Sequence, residues 1–211
     1  MRKVIIVSGG HPPSSDLFHQ IYETGDFLIA ADRGAEFFHK ENIIPHTLVG
    51  DFDSIQDETM DFFRGKTEIE TYQAEKDFTD TEAAFLKAMG EDPKEIYLLG
   101  CTGTRLDHLF GNLSLLQRGE EAGIRCYLMD DYNKIQLLLA PGIIRRTFGD
   151  YISFQGFGAP VEGFTIEGTK YPLSGYTLKM GDSRTVSNEF KKDEIKIFFN
   201  SGIVMALQTR D

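Results

Sequence analysis

The chain has 211 residues, 41% hydrophobic and 26% charged, enough for one large soluble domain or two small ones with a real core. Its net charge is −11 and no basic run exceeds two residues, which argues against nucleic acid as a partner. No apolar run approaches the roughly 20 residues of a membrane helix, so no membrane association is expected. Two cysteines, Cys101 and Cys126, lack metal-ligand spacing and read as reduced and internal, as in a cytoplasmic protein.

Residues 4–7 form an all-apolar run, too short for a signal peptide and suited to a strand buried on both faces. Ser8-Gly9-Gly10 breaks it, and a helix is predicted near 16–22. A second strand, 27–31, ends in Asp32-Arg33-Gly34 and leads into a helix with Ala35 and Phe38 facing inward. The third strand, 47–50, runs into Asp51-Phe52-Asp53. Ser54, with Asp57 three residues on, reads as the capped start of a helix reaching Phe63. An extended backbone across Asp51, Phe52 and Asp53 would turn both carboxylates the same way, a start on a Mg²⁺ site. Both aspartates could equally serve a helix terminus and its dipole. A strand at 68–72 follows, then a loop, then Thr79 with Glu82 as a second capping pattern opening a helix to Met89. Strand 95–99 ends in a glycine-rich loop, and the next helix puts Leu109, Leu113 and Leu116 on one face. Strand 125–129 closes this part.

The alternation predicts an α/β domain, an open and mostly parallel sheet flanked by helices, Rossmann-like in character. Ligands of such sheets bind outside the carboxyl ends of the strands. The unusual residues lie there: Gly9-Gly10, Asp32-Arg33, Asp51 and Asp53, 76–80 and 100–107. Loops at the opposite end, 91–93 and 119–121, carry plain solvating charge. From about residue 135 the texture changes to short β-type runs between turns, at 135–139, 143–148, 151–157, 164–166, 176–180, 185–190, 195–199 and 203–207. These predict a C-terminal all-β sandwich domain. The boundary falls near Tyr132, giving domains 1–132 and 133–211.

Lys76-Asp77-Phe78-Thr79-Asp80 joins a cation and two carboxylates at a helix start. If Asp80 faces Asp51 and Asp53, three carboxylates converge, which is costly unless a divalent ion sits among them. Helix capping is the alternative for Thr79 and Asp80, and a surface ion pair for Lys76. In Gly100-Cys101-Thr102-Gly103-Thr104-Arg105, backbone N–H groups could approach a phosphate and Arg105 could clamp one, although the Gly-Lys-Ser/Thr end of a P-loop is absent. Asp107-His108 could be an N-cap and a surface histidine, with Asn112 one turn on. Ser187-Asn188-Glu189 by spacing alone reads as a turn or edge strand.

Taken in order, Ala31-Asp32-Arg33-Gly34-Ala35, Gly50-Asp51-Phe52-Asp53-Ser54, Lys76-Asp77-Phe78-Thr79-Asp80, the run from Thr102 to His108 with Asn112, and Ser187-Asn188-Glu189 resemble the thiamine pyrophosphokinase family in its bacterial form. The resemblance covers essentially the whole chain. It implies an ATP-binding catalytic α/β domain followed by a thiamine-binding β-sandwich. It also implies Mg²⁺-dependent transfer of a pyrophosphoryl group from ATP to the hydroxyl of thiamine, giving thiamine diphosphate and AMP. Carried over by motif, Asp51, Asp53 and Asp80 look like Mg²⁺ ligands and catalytic carboxylates. Asp32, Arg33, Lys76, Asp77, Thr102, Arg105, Asp107, His108 and Asn112 would line the nucleotide site, and Ser187 and Asn188 would contact thiamine. The family builds its site between two subunits, which implies a homodimer. Some relatives stack thiamine on tryptophan; this chain has none, and Phe190 or another aromatic would stand in. An apolar strand before Asp-x-Asp also resembles haloacid dehalogenase-type phosphatases, whose motif normally follows the first strand. A non-catalytic nucleotide or thiamine sensor is a further alternative.

Overall fold

A computed structural model describes residues 3–72, 77–103 and 105–211. The chain divides into two compact units, Met1–Asp131 and Tyr132–Asp211.

In the first unit, strands β1 (Lys3–Val7), β2 (Phe27–Ala31), β3 (Thr47–Gly50), β4 (Glu68–Thr71), β5 (Glu95–Leu99) and β6 (Arg125–Met129) alternate with helices α1 (Ser15–Ile21), α2 (Gly34–Lys40), α3 (Asp57–Phe63), α4 (Asp80–Gly90) and α5 (Leu106–Glu121). All the pairings are parallel, in the order β6-β5-β1-β2-β3-β4. The chain steps outward from β1 to β4, then crosses back to β5 on the other side of β1. Right-handed crossovers therefore put α1 to α3 on one face and α4 and α5 on the other. Every residue of β2 is buried, as an all-apolar strand between two helical layers should be. The reversal between β2 and β5 splays the loops apart at the carboxyl end of β1, where open sheets of this kind hold ligands.

Local chemistry sets most of the helix ends. The Thr79 hydroxyl accepts the Glu82 N–H at 3.1 Å, and Ser14 does the same for Leu17, so both act as N-caps. Helix α3 departs from expectation. It begins at Asp57 after Gln56, without a side-chain cap, and Ser54 is not its N-cap. The Ser54 hydroxyl instead donates to the Asp32 carboxylate, 3.1 Å away at the end of β2. A tertiary partner has outcompeted the local one.

Strand β4 forms the outer edge. It pairs with β3 alone among the described residues, and Glu68, Ile69 and Thr71 are exposed. Lys87 of α4 bridges Glu68, at 3.0 Å, and Glu70.

The second unit is a sandwich of two antiparallel layers. One carries β7 (Asn133–Leu138), β14 (Val204–Thr209), β9 (Tyr151–Gly156) and the short β12 (Asn188–Glu189); the other carries β8 (Gly142–Arg145), β13 (Glu194–Phe198), β10 (Val161–Glu167) and β11 (Leu173–Leu178). Ile152, Phe154, Phe164, Ile166, Leu178, Ile195, Ile197 and Val204 fill the space between the layers. Truncating either of the packed phenylalanines, Phe154 or Phe164, would cost about 3–5 kcal/mol.

The run predicted as one strand over 185–190 is not one. Ser183–Thr185 is a 3₁₀ turn capped by Asp182, and only Asn188–Glu189 pairs as strand. Ser187, at φ 55°, breaks the extended backbone between them. The amide of Gln155 also holds this turn, accepting from the Gly181 N–H and donating to the Asp182 carbonyl.

Candidate active site

A cavity of about 340 Å³ opens at the carboxyl ends of β1, β2, β3 and β5. Asp32, Asp51 and Asp80 reach it from three different βα connections, and Thr102, Arg105, His108 and Asn112 reach it from a fourth. Ser8 and Thr81 also line it without having been singled out in the sequence, and Gly9, Gly10, Phe78 and Cys101 lie in stretches expected at this edge but given no individual role. The Ser8-Gly9-Gly10 break was visible, yet no charged side chain marks it. Ser8 is buried, and its hydroxyl oxygen accepts from the Thr81 hydroxyl at 3.0 Å, tying β1 to the start of α4.

The acidic wall is electrostatically loaded. Burial pushes the Asp32 carboxyl above the ordinary carboxylate range, and the charges of Asp80 and Asp51 add to the shift. The hydrogen bonds from the Arg33 backbone and Ser54 oppose it. The negative charge of Asp51 likewise raises the carboxyl of Asp53.

The Asp51–Asp53 trio is not extended. Phe52 sits at φ 61°, and an Asp51 carboxylate oxygen accepts the Asp53 N–H at 3.2 Å in an Asx-type turn. The carboxylates are therefore not displayed side by side along a strand, and Asp53 is exposed and outside the cavity lining. Among the described residues, no three His, Cys, Asp or Glu side chains form a ready metal cage. Mg²⁺ does not require one: it takes one or two carboxylates and completes its shell with phosphate oxygens and water. Hard oxygen donors on one wall, with the Asp32 carboxyl raised chiefly by burial and that of Asp53 by the charge of Asp51, suit a divalent cation.

Opposite lies the glycine-rich loop. Its carbonyls at Gly100, Cys101 and Thr102 accept from the Gly10 N–H, the Asn112 amide and the His11 N–H at 2.8, 3.0 and 2.6 Å. A trans peptide points its N–H away from its own carbonyl, so the N–H groups of 101–103 turn away from these donors. A phosphate oxygen needs such a cradle. Asn112 is thus a buried brace for the loop.

Arg105 is already engaged. Its guanidinium lies 2.6 Å from the Asp107 carboxylate, holding that carboxyl down at about 2. Asp107 consequently does not cap α5; Arg105 occupies the N-cap position without a side-chain bond, and Asp107 lies in the first turn. Burial pushes the Cys101 thiol up to about 12, so it is no nucleophile at neutral pH.

Other predicted residues lie elsewhere. Arg33 lines a smaller pocket beside the main cavity. Asp77 is exposed before Phe78, outside the cavity lining, and Lys76 lies outside the described residues. In the second unit Ser187 is exposed, whereas Asn188 is 4% exposed and fully employed. Its side-chain oxygen accepts the Tyr171 N–H at 3.0 Å, and its amide donates to the Tyr171 carbonyl at 2.8 Å.

Comparisons with known proteins agree along the chain. Residues 18–128 match the family model described as the thiamin pyrophosphokinase catalytic domain, and 142–204 match that of its vitamin B1 binding domain. A thiamine pyrophosphokinase of Bacillus subtilis is 32% identical over 215 residues, covering 100% of both chains. A crystal structure of thiamine pyrophosphokinase from Bacillus subtilis superposes with a TM-score of 0.89 at 28% identity, covering 99% of each chain. A thiamin pyrophosphokinase family protein from Enterococcus faecalis superposes with a TM-score of 0.85 at 31% identity, again over 99% of each.

Proposed function

The chain belongs to the thiamine pyrophosphokinase family, and from that premise we propose that it transfers the pyrophosphoryl group of ATP to the hydroxyl of thiamine, releasing thiamine diphosphate and AMP. The observation that carries this reading is the cavity in which Asp32, Asp51 and Asp80 face a glycine-rich loop at the reversal point of the sheet. The first unit is the nucleotide-binding, catalytic half and the second the thiamine-binding half. The thiamine oxygen attacks the β-phosphorus, the bond from that phosphorus to the oxygen of the α-phosphate breaks, and AMP leaves with that oxygen. A cavity carboxylate, Asp51 or Asp80, takes the hydroxyl proton. Such a step draws its rate mostly from positioning and charge neutralisation.

Asp51 and Asp80, with Asp53 beside them, are the donors for Mg²⁺, which when bound neutralises phosphate charge. Thr102 and the loop N–H groups hold phosphate oxygens, and the His108 ring and the Arg105 guanidinium, paired with Asp107, line the same side. Ser187 offers its hydroxyl to thiamine, while Asn188 shapes that edge through Tyr171. Two copies of the chain share their sites, and the buried free cysteines suit a cytoplasmic home. A dehalogenase-type phosphatase is disfavoured because Asp-x-Asp follows β3 here and not the first strand. No helix is long and apolar enough to cross a membrane among the described residues.

The test is incubation with ATP, Mg²⁺ and thiamine. AMP and thiamine diphosphate should appear in equal amounts, with no phosphate released from ATP alone. Asp51→Asn should lower kcat by about 10²-fold or more while the circular dichroism spectrum and Tm stay near wild type. Near-normal turnover in that variant would remove Asp51 from the chemistry.

A further inference from the structure

The acidic wall of the cavity and its glycine-rich wall meet at Ser8. On the loop side the meeting is made by backbone. The Ser8 N–H donates to the Leu99 carbonyl, and the Gly10 N–H to the Gly100 carbonyl, both at 2.8 Å. A methyl on Gly10 would lie 2.3 Å from the Thr102 carbonyl oxygen, so the end of β1 is locked against this loop. The link to the other wall, the first turn of α4, is of another kind. The buried side chains of that helix are Ala83, Ala84, Phe85 and Ala88, and apolar contact of this sort has no preferred direction. A hydrogen bond has one, and it weakens steeply when bent. The Thr81 hydroxyl supplies it, donating to the Ser8 hydroxyl oxygen at 3.0 Å. The Ser8 hydrogen is left for the Cys101 sulfur, with which this hydroxyl is also bonded. The Cys101 thiol donates in turn to the Leu99 carbonyl at 3.4 Å. One run of hydrogen bonds thus passes from α4 through β1 into the loop.

We propose that Thr81 and Ser8 are positioning residues for pyrophosphoryl transfer: their hydrogen bond sets where Asp80 stands relative to the phosphate loop. The inference rests on the catalytic reading of the cavity and adds what holds its two walls in register. Asp80 and Thr81 are consecutive at the start of α4, about 100° apart around its axis. A helix pinned at Thr81 cannot turn or slide without straining that bond. The direction in which the Asp80 side chain leaves the helix is therefore set by its neighbour. Thr81 is not needed as a cap, because Thr79 already accepts the Glu82 N–H at 3.1 Å. Ser8 is 4% exposed, and its hydroxyl is committed to Thr81 and Cys101 before any substrate arrives. Both residues therefore act through the walls and not on the reacting atoms. Asp80, as a metal donor, and the loop N–H groups, as phosphate donors, must serve the same triphosphate at once. Misplacing such groups by about 1 Å can cost about 10²-fold in rate.

The test is steady-state kinetics with ATP, Mg²⁺ and thiamine on Thr81→Val, Ser8→Ala, the double variant and Thr81→Ser. Valine keeps the shape of threonine and removes the donor. Thr81 is half-buried, so Thr81→Val should fold, and it decides the matter even if Ser8→Ala does not. A shift of a few tenths of an ångström should lower kcat about 5–10-fold in each single variant, with KM for both substrates within about twofold of wild type. Because the two residues act through one bond, the double variant should be no slower than the slower single one. Thr81→Ser keeps the hydroxyl and should bring kcat back to within about twofold of wild type. A kcat of Thr81→Val within about twofold of wild type would overturn the proposal. So would losses that multiply in the double variant, a rise in KM alone, or a fall in kcat matched by the fraction unfolded in a urea titration. A wild-type protein that makes no AMP from ATP and thiamine would instead bring down the catalytic reading itself.

Discussion

Asp32 shows how one residue can serve a site at the expense of the fold. It holds a left-handed backbone, φ 47°, tolerable to aspartate and asparagine but poor for most side chains. Its carboxyl is raised above the ordinary range, chiefly by burial. The folded state therefore binds the Asp32 proton more tightly than the unfolded chain does, and ionising it costs stability as pH climbs through the folded pKa. Asp32→Asn keeps the backbone preference and an acceptor for the Ser54 hydroxyl while removing that cost. Scanning calorimetry at pH 7 should show the variant as stable as wild type or about 1–2 °C more so, with the advantage vanishing below the normal aspartate pKa. A variant that melts well below wild type at pH 7 would mean that the charge is stabilising. Ser54 illustrates why such detail escapes a sequence. Its spacing to Asp57 fits a cap, but the partner it chooses is 22 residues away.

At the level of elements, the loops follow from where backbones touch. Gly100 sits at φ 64°, and a methyl there would lie 2.3 Å from the Ser8 carbonyl oxygen. Gly65, at φ 74°, has open space around it. Gly65→Ala should therefore cost only the left-handed penalty, roughly 1–2 kcal/mol by urea denaturation. Gly100→Ala adds the collision, should cost several kcal/mol, and should weaken ATP binding because the phosphate cradle must shift. Equal costs at both positions would show that the loop yields freely. The strands and helices of the first unit were legible because continuous apolar runs and 3.6-residue stripes are local signals. The stretch 185–190 misled because β-branched residues speak for extension, whereas Thr185 spends its hydroxyl on the Phe154 carbonyl and Ser187 turns left-handed. The carboxyl-edge gathering of Asp32, Asp51 and Asp80 was readable from topology alone. The turn that swings Asp53 out of the lining was not, since it depends on one backbone angle at Phe52.

For the molecule as a whole, the shared-site proposal has a direct genetic test. Asp51→Asn and a disabling change at Ser187 fall in different units, so a mixed dimer would retain one intact pairing of halves. Mixing the two inactive variants under subunit exchange should restore part of the wild-type activity. No recovery, with exchange verified by mass spectrometry, would place each complete site within one copy. The division into an α/β and an all-β half was visible as the change from helical to two-residue periodicity near Tyr132.

The rim at β4 carries a consequence for handling the protein. An unsaturated ladder is an invitation to a neighbour's strand, and carboxylates along it keep such neighbours apart by repulsion. Lys87 holds the Glu68 carboxyl below the usual glutamate range, so that repulsion outlasts an ordinary glutamate's as a solution is acidified. Removing the guard by Glu68→Ala should therefore make the protein self-associate more readily than wild type at the same pH, as light scattering would show.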